Sequence, residues 1–490
     1  MSKSEPAPEL LAQAVRHLQP VTPLLVEVGQ LFADAGHELA LVGGPVRDAF
    51  LGRTSPDLDF TCSARPDEIE STLAGWADTT WDVGREFGTI GARRGGHTLE
   101  ITTYRADAYE EDSRKPIVAF GDNLTEDLVR RDFTMNAMAL RLPQLEFVDP
   151  HGGLDDLAHE LLVTPHAPEI SFSDDPLRMM RAARFVSQLD VRVAPDVAEA
   201  MTQMADRIAI VSAERVRDEI NKLLLGAHPR AGLEVLVDTG LSEHVLPELP
   251  ALKLEVDEHH RHKDVYDHSL IVLEQAIDLE EEPGATGEDV VVGPDLTLRL
   301  AALLHDIGKP ATRRFESGGG VSFHHHEVVG AKLVRKRLRA LRYDKETIAS
   351  VSRLVELHLR FHGYGSGAWT DSAVRRYITD AGPLLGRLHK LTRSDCTTRN
   401  RRKATMLAAT YDDLEQRINQ LRELEEFKAI RPELNGNEIA EILGISPGPV
   451  LGRAYKHLLA MRLDQGPTGR DVAVAELRRW WAEQPENSTS

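Results

Sequence analysis

The chain has 490 residues, 41% hydrophobic, 28% charged and 5% aromatic, with 58 Lys/Arg against 78 Asp/Glu and a net charge of −20; at about three times the ~150 residues of one domain it predicts two or more packed cores and excludes a disordered polymer. No apolar run approaches the ~18 residues of a membrane span, and the opening MSKSEPAPELLAQAV lacks the basic-then-apolar order of a secretory leader. Cys62 and Cys396 cannot form a disulfide framework, so a reducing cytoplasm is expected; the charge argues against a histone-like nucleic-acid binder but leaves local basic surfaces open.

Residues from about 8 to 35 read as helical, broken at Pro20 and Pro23. HELALV then runs into Gly43-Gly44, a strand, tight turn and helix start (Val46 to Leu51), where free backbone N–H groups suit a phosphate and Arg47 follows one turn later. DLDFTC alternates strictly, so Asp57 and Asp59 share one strand face while Leu58 and Phe60 pack behind. Two like charges that close are costly without a divalent cation between them. Phe87 to Arg94 and Thr98 to Tyr104 read as a hairpin across Arg94-Gly95-Gly96-His97. Glu100 on its second strand offers a third carboxylate to the same cation, although a solvent-facing strand glutamate is the plainer reading. The following segment, with Arg105, Arg114 and Lys115 among acids, lacks periodicity.

RRDFTMNAMA (Arg130 to Ala139) mixes donors with packing residues. In DDPLRMMRAARF (Asp174 to Phe185), Asp175-Pro176 is a good helix start, and Arg178 is placed to pair with Asp175 across one turn. From Asp174 the pattern is helical almost to the end. Glu274 to Asp295 is acidic with Gly/Pro interruptions and reads as an exposed loop. His268, His305-Asp306, the FHHHE run containing His326, His358 and Asp395 follow in order; imidazole with carboxylate suits a transition metal that activates water toward phosphate. Six Lys/Arg lie between Lys332 and Arg342 and nine between Arg375 and Lys403, either solvated helix faces or a phosphate-tracking surface. The last segment has Gly436, Gly444, Gly448 and Gly452 between short helices, and a closing helix with Trp480-Trp481.

LVGGPVRDAFLG followed by DLDF resembles motif A of nucleotidyltransferases with a polymerase-beta-like palm, and more narrowly the bacterial class II tRNA nucleotidyltransferases (CCA-adding enzymes) and bacterial poly(A) polymerases. RRDFTMNAMA is similar to their ribose-binding motif B, DPHGGLDDL from Asp149 to hinge-like motif C, the Asp174 segment to base-selecting motif D, and ERVRDEINKLL from Glu214 to motif E. The resemblance implies an α+β fold: a palm over residues 1–165, a helical neck over 166–250, an HD-type metal domain over 251–405 and an RNA-facing helical tail over 406–490. It implies Mg²⁺ on catalytic Asp57 and Asp59, and nucleotide contacts from Gly43, Gly44, Arg47, Arg131, Asp132 and Asn136. Asp175 and Arg178 would select CTP and ATP, since cytosine and adenine both present an amine beside a ring acceptor. Asp174 stands where the family usually carries Glu. The segment with Arg105, Arg114 and Lys115 corresponds to a flexible loop that admits the final adenosine.

The HD resemblance implies His268, His305, Asp306, His326, His358 and Asp395 as ligands to Mn, Ni, Co, Zn or Fe. The function expected is template-independent addition of C, C and A to the tRNA 3′ end with release of pyrophosphate. The alternatives are a poly(A) polymerase or A-adding enzyme on the same palm, a phosphohydrolase acting through the HD centre, and a non-catalytic RNA-binding protein. FGTIGARRG favours the CCA-adding members. Phosphates of tRNA are expected along the basic helices, with Arg399, Arg401, Arg402 and Lys403 among the contacts. Neither a membrane nor an obligate protein partner is called for.

Overall fold

A computed structural model describes residues 8–55, 57–106, 119–121, 123–254, 264–316, 321–364, 369–397, 400–425 and 431–484. The chain divides into two compact units, Met1–Pro247 and Glu248–Ser490.

In the first unit, helices Pro8–Leu18 and Thr22–Asp34 precede a seven-stranded mixed sheet. Its strands are β1 (Leu39–Val42), β2 (Asp57–Cys62), β3 (Thr79–Gly84), β4 (Thr89–Arg94), β5 (His97–Thr103), β6 (Ala139–Leu142) and β7 (Glu146–Val148), in the order β3-β4-β5-β2-β1-β6-β7. β1 is buried along its whole length, as a central strand reading LALV should be. β2 runs antiparallel to β1 and parallel to β5. Its alternation sends Leu58 and Phe60 into the core and leaves Asp57 exposed and Asp59 half-buried on the opposite face. The expected hairpin is present, but its first strand starts at Thr89, because Arg85–Phe87 forms a 3-10 turn. Strands β3, β6 and β7 were not legible in the sequence.

After the sheet this unit continues with the helices Pro168–Asp174, Leu177–Leu189, Pro195–Gln203, Ala213–Leu224, Pro229–Asp238 and Leu241–Val245. The Leu177–Leu189 and Ala213–Leu224 helices are joined by the buried pair Arg184–Glu219 at 3.2 Å and by Ser187 Oγ donating to the Leu223 carbonyl at 2.6 Å. Arg184 stacks on Phe185, 4.2 Å from the ring centre, which shields part of a cation removed from water.

Among its described residues the second unit is helical apart from the two-residue strand pair Arg314–Phe315 and Val321–Ser322 and a single bridge between Glu281 and Val292. Helices Val265–Asp278, Leu296–Leu304, His326–Ala340, Lys345–Leu357 and Leu385–Ser394 pack around the His/Asp cluster. Helices Gly436–Leu443, Pro449–Gln465 and Arg470–Ala482 form a separate small core on Leu434, Ile439, Ala454, Leu458 and Leu477. Asn435 closes a capping box with Glu438 there, and Gly444 ends the first of these helices in the left-handed conformation.

The acidic segment is not simply exposed. Glu280 is buried against Arg299, and Glu281, Asp289 and Asp295 pair with Lys390, Arg422 and Arg387. Arg376 pairs with Asp464, and Arg393 with Asp412 and Glu415. Several cations of the basic run from Arg375 are therefore paired within their own unit. No helix among the described residues is long and apolar enough to cross a membrane.

Candidate active site and metal centre

The palm site is built on the open face of β2 and β5. Their parallel register sets Glu100 directly beside Asp59 and Thr98 beside Asp57. Three carboxylates thus share one small surface, and the charges are not compensated. The Asp59 carboxyl is pushed up to about 6, by burial first and then by Glu100 and Asp57, against the opposing pull of Arg131 and Arg47. Glu100 is half-buried beside Asp59 and is not a fully solvent-facing strand residue.

Across β1 the chain turns at Gly43, whose φ of 70° is strained for any residue with a side chain. A Cβ there would also lie 3.2 Å from an Arg131 guanidinium nitrogen, so Arg131 sits over this turn beside Gly44. Arg131 is held by Asp127 at 3.1 Å, and its buried Nε has no acceptor among the described residues. Arg47 donates to Asn136 at 2.7 Å and to Asp48 at 2.7 Å. Asn136 in turn donates to Asp132 at 2.9 Å.

Asp132 is buried and accepts from the Phe133 amide, Asn136 and the Arg181 guanidinium. Burial alone would raise its pKa; Arg181 and Asn136 overcome that and hold it at about 2. Arg47, Asn136, Asp132 and Arg181 therefore form one connected chain of hydrogen bonds from the Gly43 turn to the Leu177–Leu189 helix. Arg181 and Phe185, over whose ring Arg47, Arg181 and Arg184 all stack, escaped the sequence reading. The density of arginines in RMMRAARF was the available signal.

Asp175 and Arg178 do not pair with each other across the turn. Asp175 accepts from the Leu177 amide at 3.1 Å, which starts the helix, and from Arg215 at 2.8 Å. Arg178 donates to the Ser171 hydroxyl at 2.8 Å and to the Arg130 carbonyl at 2.5 Å.

The second unit gathers all six expected ligands into two adjoining sets that could each hold a metal ion: His268, His305 and Asp395, and Asp306, His326 and His358. Three imidazoles use Nδ1 on the carbonyl three residues earlier: His305 on Ala302, His326 on Phe323 and His358 on Val355, at 2.7–2.8 Å. His268 uses Nδ1 on the Thr397 hydroxyl at 3.2 Å. All four Nε2 atoms are thereby turned inward, the tautomer and orientation that a metal requires. Asp306 lies 3.2 Å from both His305 and His326 Nε2, and Asp395 lies 3.0 Å from His268 Nε2.

Among the described residues His358 Nε2 is buried without a hydrogen-bond partner, while Asp306 also draws Lys309 Nζ to 2.9 Å. An unpartnered imidazole nitrogen facing a buried carboxylate, within two sets of His and Asp donors, fits a metal. Burial would lower the His305 pKa, but the facing Asp306 and Asp395 raise it to about 10, while burial and His305 hold His358 at about 3. Gly308 permits the arrangement: a Cβ there would lie 2.1 Å from the His326 carbonyl oxygen, so only glycine lets the His305-Asp306 turn approach that helix.

Arg401, Arg402 and Lys403 lie exposed at the start of the Arg401–Glu425 helix. Arg399, Arg114 and Lys115 lie outside the described residues.

Residues 39–163 match the Poly A polymerase head domain family, 190–252 a probable RNA- and SrmB-binding site of polymerase A, and 265–399 the HD domain. An A-adding tRNA nucleotidyltransferase of Deinococcus radiodurans is 33% identical over 460 residues, 91% of this chain and 96% of that protein. A CCA-adding enzyme of Bacillus pumilus is 42% identical over 219 residues, 44% of this chain; the match spans about half of that relative, 52% of its length. The fold is shared with the Bacillus stearothermophilus CCA-adding enzyme solved with CTP, at 24% identity and a TM-score of 0.66 over 96% of this chain and 99% of that one. It is also shared with the Thermotoga maritima CCA-adding enzyme solved with tRNA, at 19% identity and a TM-score of 0.59 over 96% and 98% of the two chains.

Proposed function

This chain belongs to the tRNA nucleotidyltransferase and poly(A) polymerase family, and on that footing we propose that it adds C, C and A to the 3′ end of tRNA from CTP and ATP. The observation that carries the reading is the in-register meeting of Asp57, Asp59 and Glu100 beside an arginine-lined glycine turn. In the reaction the RNA 3′-hydroxyl oxygen bonds to the α-phosphorus, the α–β bridge breaks and pyrophosphate leaves.

Asp57 and Asp59, with Glu100, would hold Mg²⁺, which when bound makes the hydroxyl a better nucleophile and offsets charge at the α-phosphate. Arg47 and Arg131 hold positive charge over the Gly43 turn for the triphosphate. Asp132 works through Asn136 and Arg181: ionised and saturated with donors, it fixes the two groups that set Arg47 and the neck. Asp175 and Arg178 read the base edge by exchanging partners, Arg215 for an exocyclic amine and Ser171 for a ring acceptor. The exclusion of uracil and guanine then follows from unpaired buried donors and acceptors.

A second reading, addition of A alone, is favoured by the 33% identity to an A-adding relative across nearly its whole length. Incubating tRNA that lacks its 3′ CCA with CTP alone, ATP alone and both distinguishes them. C, C and then A supports the first reading; extension only of tRNA already ending in CC supports the second; a long A tail on arbitrary RNA rejects both. For the helical unit, the inward Nε2 atoms support a metal centre and a separate phosphohydrolase activity.

A further inference from the structure

The exposed residues of the palm sheet do not end at the carboxylates. Registers across three strand pairs place Asp59 opposite Glu100, Glu100 opposite Gly91 and Gly91 opposite Trp81 on the edge strand β3. Directly paired residues point to the same face, so Trp81 stands on the catalytic face, three strand spacings or about 14 Å along from Asp59. Its indole leans inward. A Cβ on Gly91 would lie 2.4 Å from indole Cε2 and 2.5 Å from Nε1, so the ring occupies the space a side chain at 91 would fill, toward Glu100. Gly91 is buried beneath it, while Trp81 itself remains 40% exposed. The next row outward on the same face runs from Asp57 through Thr98 to Arg93, an exposed cation.

We propose that Trp81 is a stacking platform for a base in the 3′-terminal segment of the RNA, with Arg93 taking a neighbouring phosphate. An open aromatic face with a cation beside it is what a single strand needs, because any base can stack and any phosphate can pair. The strip is continuous with the carboxylates that the 3′ end must reach, which selects RNA over a protein partner as its occupant. The proposal rests on the reading of the palm as an RNA-extending site.

The test uses the full chain with Trp81→Leu and Trp81→Tyr. Leucine keeps Gly91 covered but removes the π face, and tyrosine keeps both. The KM for tRNA is expected to rise about tenfold in Trp81→Leu and to stay near wild type in Trp81→Tyr, with the KM for CTP unmoved in both. A 2-aminopurine placed in the RNA 3′-terminal segment is quenched on binding wild type, and Trp81→Leu relieves the quenching. Arg93→Ala lowers the salt slope of log affinity by about one. An unchanged tRNA KM and unchanged quenching in Trp81→Leu overturn the proposal, leaving Trp81 as a cover for Gly91 or a protein contact. If wild type extends no RNA, the reading of the palm has failed instead; affinity of the same variants for a single-stranded oligoribonucleotide then decides, with no loss in Trp81→Leu again overturning the platform.

Discussion

Asp59 shows how burial and neighbouring carboxylates set the protonation of a single side chain. Its pKa of about 6 against an ordinary 3.8 means that the metal-free fold binds a proton there more tightly than the unfolded chain does. The sign follows: stability from this group is present below about pH 4 and is lost as pH rises through 6. Asp59→Asn should therefore raise the stability of metal-free protein at pH 7.5 by on the order of 1 kcal/mol, have no effect near pH 4, and abolish nucleotide incorporation. Thermal melts at the two pH values check the first two, and any melt in which Asn destabilises at pH 7.5 contradicts them. The Mg²⁺ concentration for half-maximal activity should climb below pH 6, as the cation competes with the proton. Asp57 and Asp59 were legible because alternation in DLDF is local. Glu100 was legible only as a candidate third carboxylate beside a plainer reading, because the parallel register that sets it next to Asp59, about forty residues away, is fixed by packing.

Among the elements, the neck helix and the HD helices carry buried charge, and their removal should cost more than surface pairs do. Glu280 and Arg299 are each about 6% exposed, whereas Asp412, paired with Arg393, is 71% exposed. Glu280→Ala removes a buried carboxylate paired with a buried guanidinium and should cost about 3 kcal/mol, against less than about 0.5 kcal/mol for Asp412→Ala, by urea denaturation. Equal losses would contradict this assignment. In the metal centre, His305 raised to about 10 contributes stability that is full below pH 6.5 and lost as pH passes 10. Binding of Mn²⁺ or Zn²⁺ at pH 7 should therefore release a proton, measurable as a dependence of binding heat on buffer ionisation, and His305→Ala should remove it. The order His, His-Asp, His, His, Asp announced this centre in the sequence. What sequence could not show is that Thr397 and three backbone carbonyls fix the tautomers, or that Glu281 and Asp295 of the acidic segment pair with Lys390 and Arg387 of the basic run, since those ion pairs join residues about a hundred positions apart.

At the scale of the molecule, the two units carry different chemistry and the net charge of −20 conceals local cations. Lys332, Lys336 and Arg339 lie exposed on one helix, and Arg401, Arg402 and Lys403 at the start of another. Replacing the latter three by Ala should weaken tRNA binding at low salt and lower the salt slope by up to about three, leaving CTP affinity unchanged; an unaltered slope returns them to a solvated face. The claim on which the rest depends is that the palm, not the HD centre, extends RNA. The direct measurement is extension of CCA-less tRNA with CTP and ATP by Asp57→Ala and His305→Ala side by side. Loss of incorporation in Asp57→Ala with retention in His305→Ala is expected, and full incorporation by Asp57→Ala would contradict it.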